Sequence, residues 1–92
     1  MEIRRYRIIV KGIVQGVGYR YFALQQAKKY EVKGWVKNRC DGYVEIVCEG
    51  IDERLKLFVE RLREGPYSAR VEDLEIKKEE YRGEFLDFEI KF

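Results

Sequence analysis

The chain contains no histidine. That removes the usual general base at neutral pH, the usual partner of a serine or cysteine nucleophile, and the commonest metal ligand. Threonine is also absent, and serine, asparagine and proline occur once each, as Ser68, Asn38 and Pro66. Two cysteines, Cys40 and Cys48, are too few for a disulfide framework or an all-cysteine zinc site. No apolar run approaches the ~18–20 residues of a membrane-spanning helix. Met1-Glu2-Ile3-Arg4-Arg5 is not followed by an apolar stretch of signal-peptide length. A cytoplasmic chain with no membrane partner is expected, whose chemistry falls to Arg, Lys, Asp, Glu, Tyr, Asn, Gln and the backbone.

Charge is what the chain has in quantity: 39% of its residues are charged and 46% hydrophobic, which excludes a disordered or fibrous protein. Ninety-two residues make one domain, 1–92, with a folded surface of roughly 5,700 Å² by size scaling, enough for one core without staples. Lys, Arg, Asp and Glu dominate the polar set, a bias similar to that of thermophile proteins, so a thermostable fold is expected. The net charge of +2 is unevenly spread, with no Asp or Glu from Ile3 to Tyr30. An acid-free window suits an anionic partner. In the alternative reading, Arg5, Arg7 and Lys11 decorate the solvent face of a strand.

Hydropathy patterning places the elements. Arg5 to Val14 alternates as a strand, with Tyr6, Ile8, Val10 and Gly12 on one face. Tyr21 to Tyr30 reads as a helix burying Phe22, Ala23, Ala27 and Tyr30. Val32–Asn38 and Tyr43–Glu49 read as strands joined at Asp41-Gly42, a hairpin signal. Leu55, Phe58, Val59 and Leu62 form a helical stripe within Glu53–Glu64, with Asp52 as its N-cap and Gly65-Pro66 as its stop. Val71–Glu79 reads as a strand that slips near Glu72-Asp73, and Phe85–Phe92 as a short last strand. The order β-α-β-β-α-β with an extra C-terminal strand predicts an α+β, ferredoxin-like sandwich: an antiparallel sheet with two helices on one face.

The segment from Gly12 to Arg20 carries the sharpest signal. No Ser, Thr, Asp or Asn lies between Lys11 and Tyr30, so no side chain from that stretch caps the first helix. Gly16 and Gly18 let successive N–H groups turn inward as a nest, the helix dipole adds positive charge, and Arg20 supplies a planar fork for phosphate. A P-loop is excluded because Gly-Lys-Ser/Thr is missing. A dinucleotide fingerprint fails because Tyr21 stands where a glycine is needed. An anion cradle and an ordinary strand-to-helix turn with a surface arginine both fit the residues alone.

Gly12-Ile13-Val14-Gln15-Gly16-Val17-Gly18-Tyr19-Arg20 resembles the first signature of the acylphosphatases, G-x-V-Q-G-V-x-F/Y-R. Gly34-Trp35-Val36-Lys37-Asn38, followed by Gly42, Val44 and Gly50, resembles the second, and Phe88-Glu89-Ile90 fits the family's last strand. The resemblance implies hydrolysis of an acyl phosphate to a carboxylate and inorganic phosphate, with neither metal nor cofactor. It implies phosphate binding by the backbone of Gln15, Gly16, Val17, Gly18, Tyr19 and Arg20, with Arg20 and Asn38 as the catalytic pair. Inorganic phosphate or a similar anion would occupy the loop of a monomer. The variable position of the first signature is Gly18, where relatives often carry something bulkier.

The remaining residues have plainer expectations. Gln15 is expected to bond loop backbone, Tyr19 and Tyr21 to pack, Trp35 to lie half-exposed, and Cys48 to sit in the core without pairing to Cys40. RNA-recognition domains share the element order, but Tyr43–Glu49 lacks their basic and aromatic pattern, so no nucleic-acid partner is expected. A ligand-sensing regulatory domain would not need the Arg20–Asn38 pair. Chain length favours a stand-alone enzyme over the similar module of larger carbamoyl-transferring maturation proteins.

Overall fold

The structure, a computed structural model, describes all residues from Met1 to Phe92. Seven elements follow in order: β1 (Ile3–Ile13), α1 (Tyr19–Lys29), β2 (Lys33–Asn38), β3 (Val44–Ile51), α2 (Asp52–Glu64), β4 (Arg70–Glu79) and β5 (Phe88–Lys91). The strands form one sheet in the order β4-β1-β3-β2-β5. The first four pair antiparallel, as expected, but β5 runs parallel to β2, so the sheet is mixed. No helix is long and apolar enough to cross a membrane.

Alternation decides which face is buried. Tyr6, Ile8 and Val10 of β1, Val36 of β2, and Val44, Ile46 and Cys48 of β3 point under the helices and form one core with them. α2 contributes Leu55, Phe58, Val59 and Leu62, and α1 contributes Tyr19, Ala23 and Ala27 at four-residue spacing. Phe58 meets Phe88 edge to face at 5.9 Å, which ties α2 to the last strand. β4 slips where its alternation breaks: Lys11 pairs with Asp73 and Gly12 with Val71, so Glu72 is the extra residue of a bulge. Asp52 is not the N-cap of α2. It is the first helical residue, and its carboxylate is held by Arg4 and Lys56 instead of the helix amides.

The helix-free face of the sheet is not simply a solvated surface. Arg5 is 3% exposed there and bonds Glu49, Glu79 and Glu84, while Arg7 bonds Glu45 and Glu79. The connection between β4 and β5 folds across this network: the amides of Arg82 and Gly83 donate to Glu49 Oε2, and Phe85 stacks on Arg5. Arg5 and Arg7 are therefore neither solvent decoration nor free to recruit an anion. The acids that pair with Arg5 and Arg7 come from β3, from β4 and from the connection that follows β4. The buried charges offset one another only as a set, because a lone buried charge is costly.

Hydrogen bonds from Arg5 and Arg7 hold the Glu79 carboxyl down at about 2. A carboxyl lowered in the folded state stabilises above its ordinary range and loses that contribution as pH falls towards the folded value. The urea midpoint should therefore drop as pH falls from about 5 towards 2. Glu79→Gln should make that acid limb shallower, and an unchanged limb would mean that the Glu79 pairs are energetically idle.

Candidate active site

β1 ends at Ile13, the chain turns through residues 14–18, and α1 starts at Tyr19. The turn is possible because Gly16 and Gly18 take φ of 73° and 79°, which side chains of L-residues resist. Space is not the constraint, since a Cβ at either position would meet nothing within 4 Å. Gly18 is the N-cap of α1, and no side chain caps the helix. The amide of Phe22 donates to Gly18 O at 3.1 Å, whereas the amides from Gln15 to Tyr21 have no protein acceptor. Unbonded N–H groups at a helix start carry partial positive charge, the feature by which helix N-termini can hold anions.

Arg20 sits in the first turn of α1. It has no carboxylate partner, although seven other arginines do. Its guanidinium lies over the ring of Phe92, 4.9 Å from the centroid. Stacking uses a face of the guanidinium and leaves its N–H edge for an anion. Asn38 is the last residue of β2, facing Val44 in the β2–β3 register. Its Oδ1 is the one buried side-chain polar atom in the molecule without a hydrogen-bond partner. Such an atom signals either strain or work on a ligand.

These groups share one cleft of about 190 Å³, lined by Val14, Gly16, Gly18, Tyr19, Arg20, Tyr21, Asn38, Ile90 and Phe92. Of the residues expected at the site, Gly16, Gly18, Tyr19, Arg20 and Asn38 are brought together. Gln15 and Val17 send their side chains elsewhere, so backbone is all they can offer a ligand. Gln15 Nε2 donates to Arg39 O (2.8 Å) and Tyr43 O (2.9 Å), which pins the loop to the hairpin carrying Asn38 instead of bonding within the loop. Val17 packs against the core. Tyr19 is buried with its hydroxyl donating to Leu62 O at 2.8 Å, and burial pushes its phenol up, beyond use as an acid or base.

Tyr21 departs from its expected packing role: it is 61% exposed and forms part of the cleft wall. Sequence reasoning missed Ile90 and Phe92, because the parallel pairing of β5 with β2 brings them to the cleft and nothing in the local pattern sets that direction. Lys37 and Arg39 flank Asn38. The Lys37 amine and that of Lys91 lie over the half-buried Trp35 ring, and Arg39 is engaged by Asp41 and Glu45. Both cysteines are free; Cys48 is buried, and desolvation pushes its thiol up to about 12.

A family model described as Acylphosphatase matches residues 6–90. The chain belongs to the acylphosphatase family. The acylphosphatase of Pyrobaculum calidifontis is 53% identical over 91 residues, 98% of this chain and 83% of that one. The crystal structure of the Bacillus subtilis acylphosphatase superposes with a TM-score of 0.93 at 43% identity, covering 97% of this chain and 99% of that one. The structure of HypF from T. kodakarensis matches at 38% identity and a TM-score of 0.84, covering 97% of this chain but 12% of that one. This chain is accordingly an acylphosphatase enzyme, a hydrolase of the family whose activity is cleavage of acyl phosphates.

Proposed function

We propose that this acylphosphatase holds the phosphoryl oxygens of its substrate with the amides of residues 15–20 and the Arg20 guanidinium, while Asn38 positions the attacking water. The observation that carries the reading is the unpartnered Asn38 Oδ1 in the same cleft as an arginine with no carboxylate. A carboxamide oxygen accepts a hydrogen bond from water, and its amide can donate, so Asn38 aims the nucleophile without ionising. Phosphoryl transfer asks for positioning and charge stabilisation more than for covalent help. Water oxygen joins phosphorus, the bond from phosphorus to the acyl oxygen breaks, and the carboxylate leaves. The water proton passes to a non-bridging phosphoryl oxygen. A carboxylate is a good leaving group, so neither a strong base nor a metal or cofactor is needed, which suits a chain without histidine. Every group invoked lies on one chain, so a monomer suffices.

The test is turnover of benzoyl phosphate in chelator without added metal. Hydrolysis is expected, with kcat flat across roughly pH 6–8 once the substrate's own ionisation is allowed for. A bell with an enzyme group titrating near 6–7 would overturn the substrate-assisted proton route. No turnover by folded protein would overturn the whole reading.

A further inference from the structure

On the helix-free face of the sheet, two lysines stand in register beside the cleft. Lys37 of β2 pairs with Lys91 of β5, and their ammonium groups lie 5.3 and 4.7 Å from the centroid of the same Trp35 ring. Like charges directly opposite on neighbouring strands repel and cost stability. Neither charge is neutralised: Lys11 and Lys56 have carboxylate partners, and Lys37 and Lys91 have none. The carboxylate in register with Lys37 on β3 is Glu45, whose oxygens are taken by Arg7 and Arg39. Glu89, on the same face of β5, stands in register with Trp35 and bridges to neither lysine. Trp35 holds both ammonium groups by its ring, which orders them without cancelling their charge. Each lysine is the chain neighbour of a residue that lines the cleft, Lys37 of Asn38 and Lys91 of Phe92. The fold gains nothing from two uncancelled charges kept together, whereas an anion approaching the cleft does.

We propose that Lys37 and Lys91, ordered by Trp35, form an electrostatic rim that draws anionic acyl phosphates to the cleft. The rim raises the rate of capture and the local substrate concentration, and it leaves the chemical step alone. The proposal rests on the phosphate placement proposed above. Charges of one sign beside a cleft raise association by roughly ten-fold or more at low salt, and the effect fades as salt rises. Each lysine lies one residue, ~3.8 Å along the chain, from the cleft lining. The screening length at physiological salt is about 8 Å, so the field of both reaches the cleft. Neither lysine lines the cleft itself. Charge and not hydrogen-bond geometry is therefore what they contribute, and arginine should serve as well as lysine at both positions.

The test is the salt dependence, from about 10 to about 500 mM, of benzoyl phosphate turnover and of inorganic phosphate binding by calorimetry. The proteins are wild type, Lys37→Gln, Lys91→Gln, the double glutamine variant and the double variant Lys37→Arg with Lys91→Arg. Lys78→Gln is the control, because it removes the same charge from β4 at the far edge of the sheet. At low salt each single glutamine variant should lose about three-fold in kcat/KM and the double about ten-fold, with kcat unchanged, and all should converge on wild type at high salt. The dissociation constant of phosphate should rise in step. The arginine variant and Lys78→Gln should follow wild type. The urea midpoint of Lys91→Gln should hold or rise, since a repulsion is removed. A double glutamine variant with wild-type salt dependence, or a Lys78→Gln variant that loses as much, overturns the rim and leaves the hydrolytic reading standing. A loss that persists at high salt, or that falls on kcat, also overturns the rim, because it gives the lysines a structural part instead. Salt-dependent loss of phosphate binding in the glutamine variants, with no turnover by any of the proteins, upholds the rim and overturns the hydrolytic reading.

Discussion

Arg20→Ala should lower kcat/KM for benzoyl phosphate by about three orders of magnitude, the scale on which a transition-state arginine acts in phosphoryl transfer. The guanidinium is not committed to any carboxylate, so nothing in the fold needs its charge, and the melting midpoint should barely move. Arg20→Lys should recover little, because an ammonium is a point charge that cannot span two oxygens of one phosphoryl group. Asn38→Ala should behave differently. It leaves the loop amides and Arg20 in place, so inhibition by inorganic phosphate should persist while kcat falls by about 10²–10³, the effect of losing one preorganised hydrogen-bonding group. Steady-state kinetics with phosphate as a competing ligand separates the two. An Arg20→Ala enzyme within ten-fold of wild type would place the transition-state charge elsewhere.

Gly34→Ala should be the most damaging single substitution in the sheet. Gly34 has φ of 145°, and a Cβ built there would stand 1.9 Å from Val47 O and 2.9 Å from Cys48 Cα. Those atoms belong to β3 at the very point where Gly34 pairs with Cys48, so relief requires β2 and β3 to separate. Gly34 also donates its amide to Asp87 O at 3.0 Å, ahead of the β2–β5 pairing. Backbone against backbone cannot be relieved by a rotamer change, and a cost of about 4 kcal/mol or more is expected out of the 5–15 kcal/mol typical of a domain. Urea unfolding should show a collapsed midpoint or no cooperative transition. A Gly34→Ala variant with the wild-type midpoint would mean that this strand pair is far softer than its close approach implies. Activity should fall together with stability, because the same strand delivers Asn38 four residues on.

What was legible in the sequence is what is local. Strand parity assigned Tyr6, Ile8, Val10, Val44, Ile46 and Cys48 to one face, and the i, i+3, i+4, i+7 stripe of α2 is buried as a unit. The absence of any capping side chain ahead of α1 followed from composition, and the glycines that replace it take the left-handed backbone that the turn needs. What was not legible is what depends on which segment arrives opposite. Arg5 lies on the outward parity, yet it is buried because Glu49, Glu79 and Glu84 come to it from positions 44 to 79 residues away. Asp52 has the chemistry of an N-cap, but Arg4, delivered by β1, competes for its carboxylate. Ile90 and Phe92 enter the cleft only because β5 joins β2 in parallel.

That last strand has a practical consequence. Phe92 lies against Arg20 and lines the cleft, so any polypeptide fused after it begins beside the cleft. Met1 lies at the opposite end of β1 from the glycine loop, and an eleven-residue strand spans roughly 33 Å from first to last residue. An affinity handle, a fluorophore or a surface-immobilisation linker placed at the start of the chain leaves the cleft clear, whereas the same handle at the other end shares the cleft with the substrate.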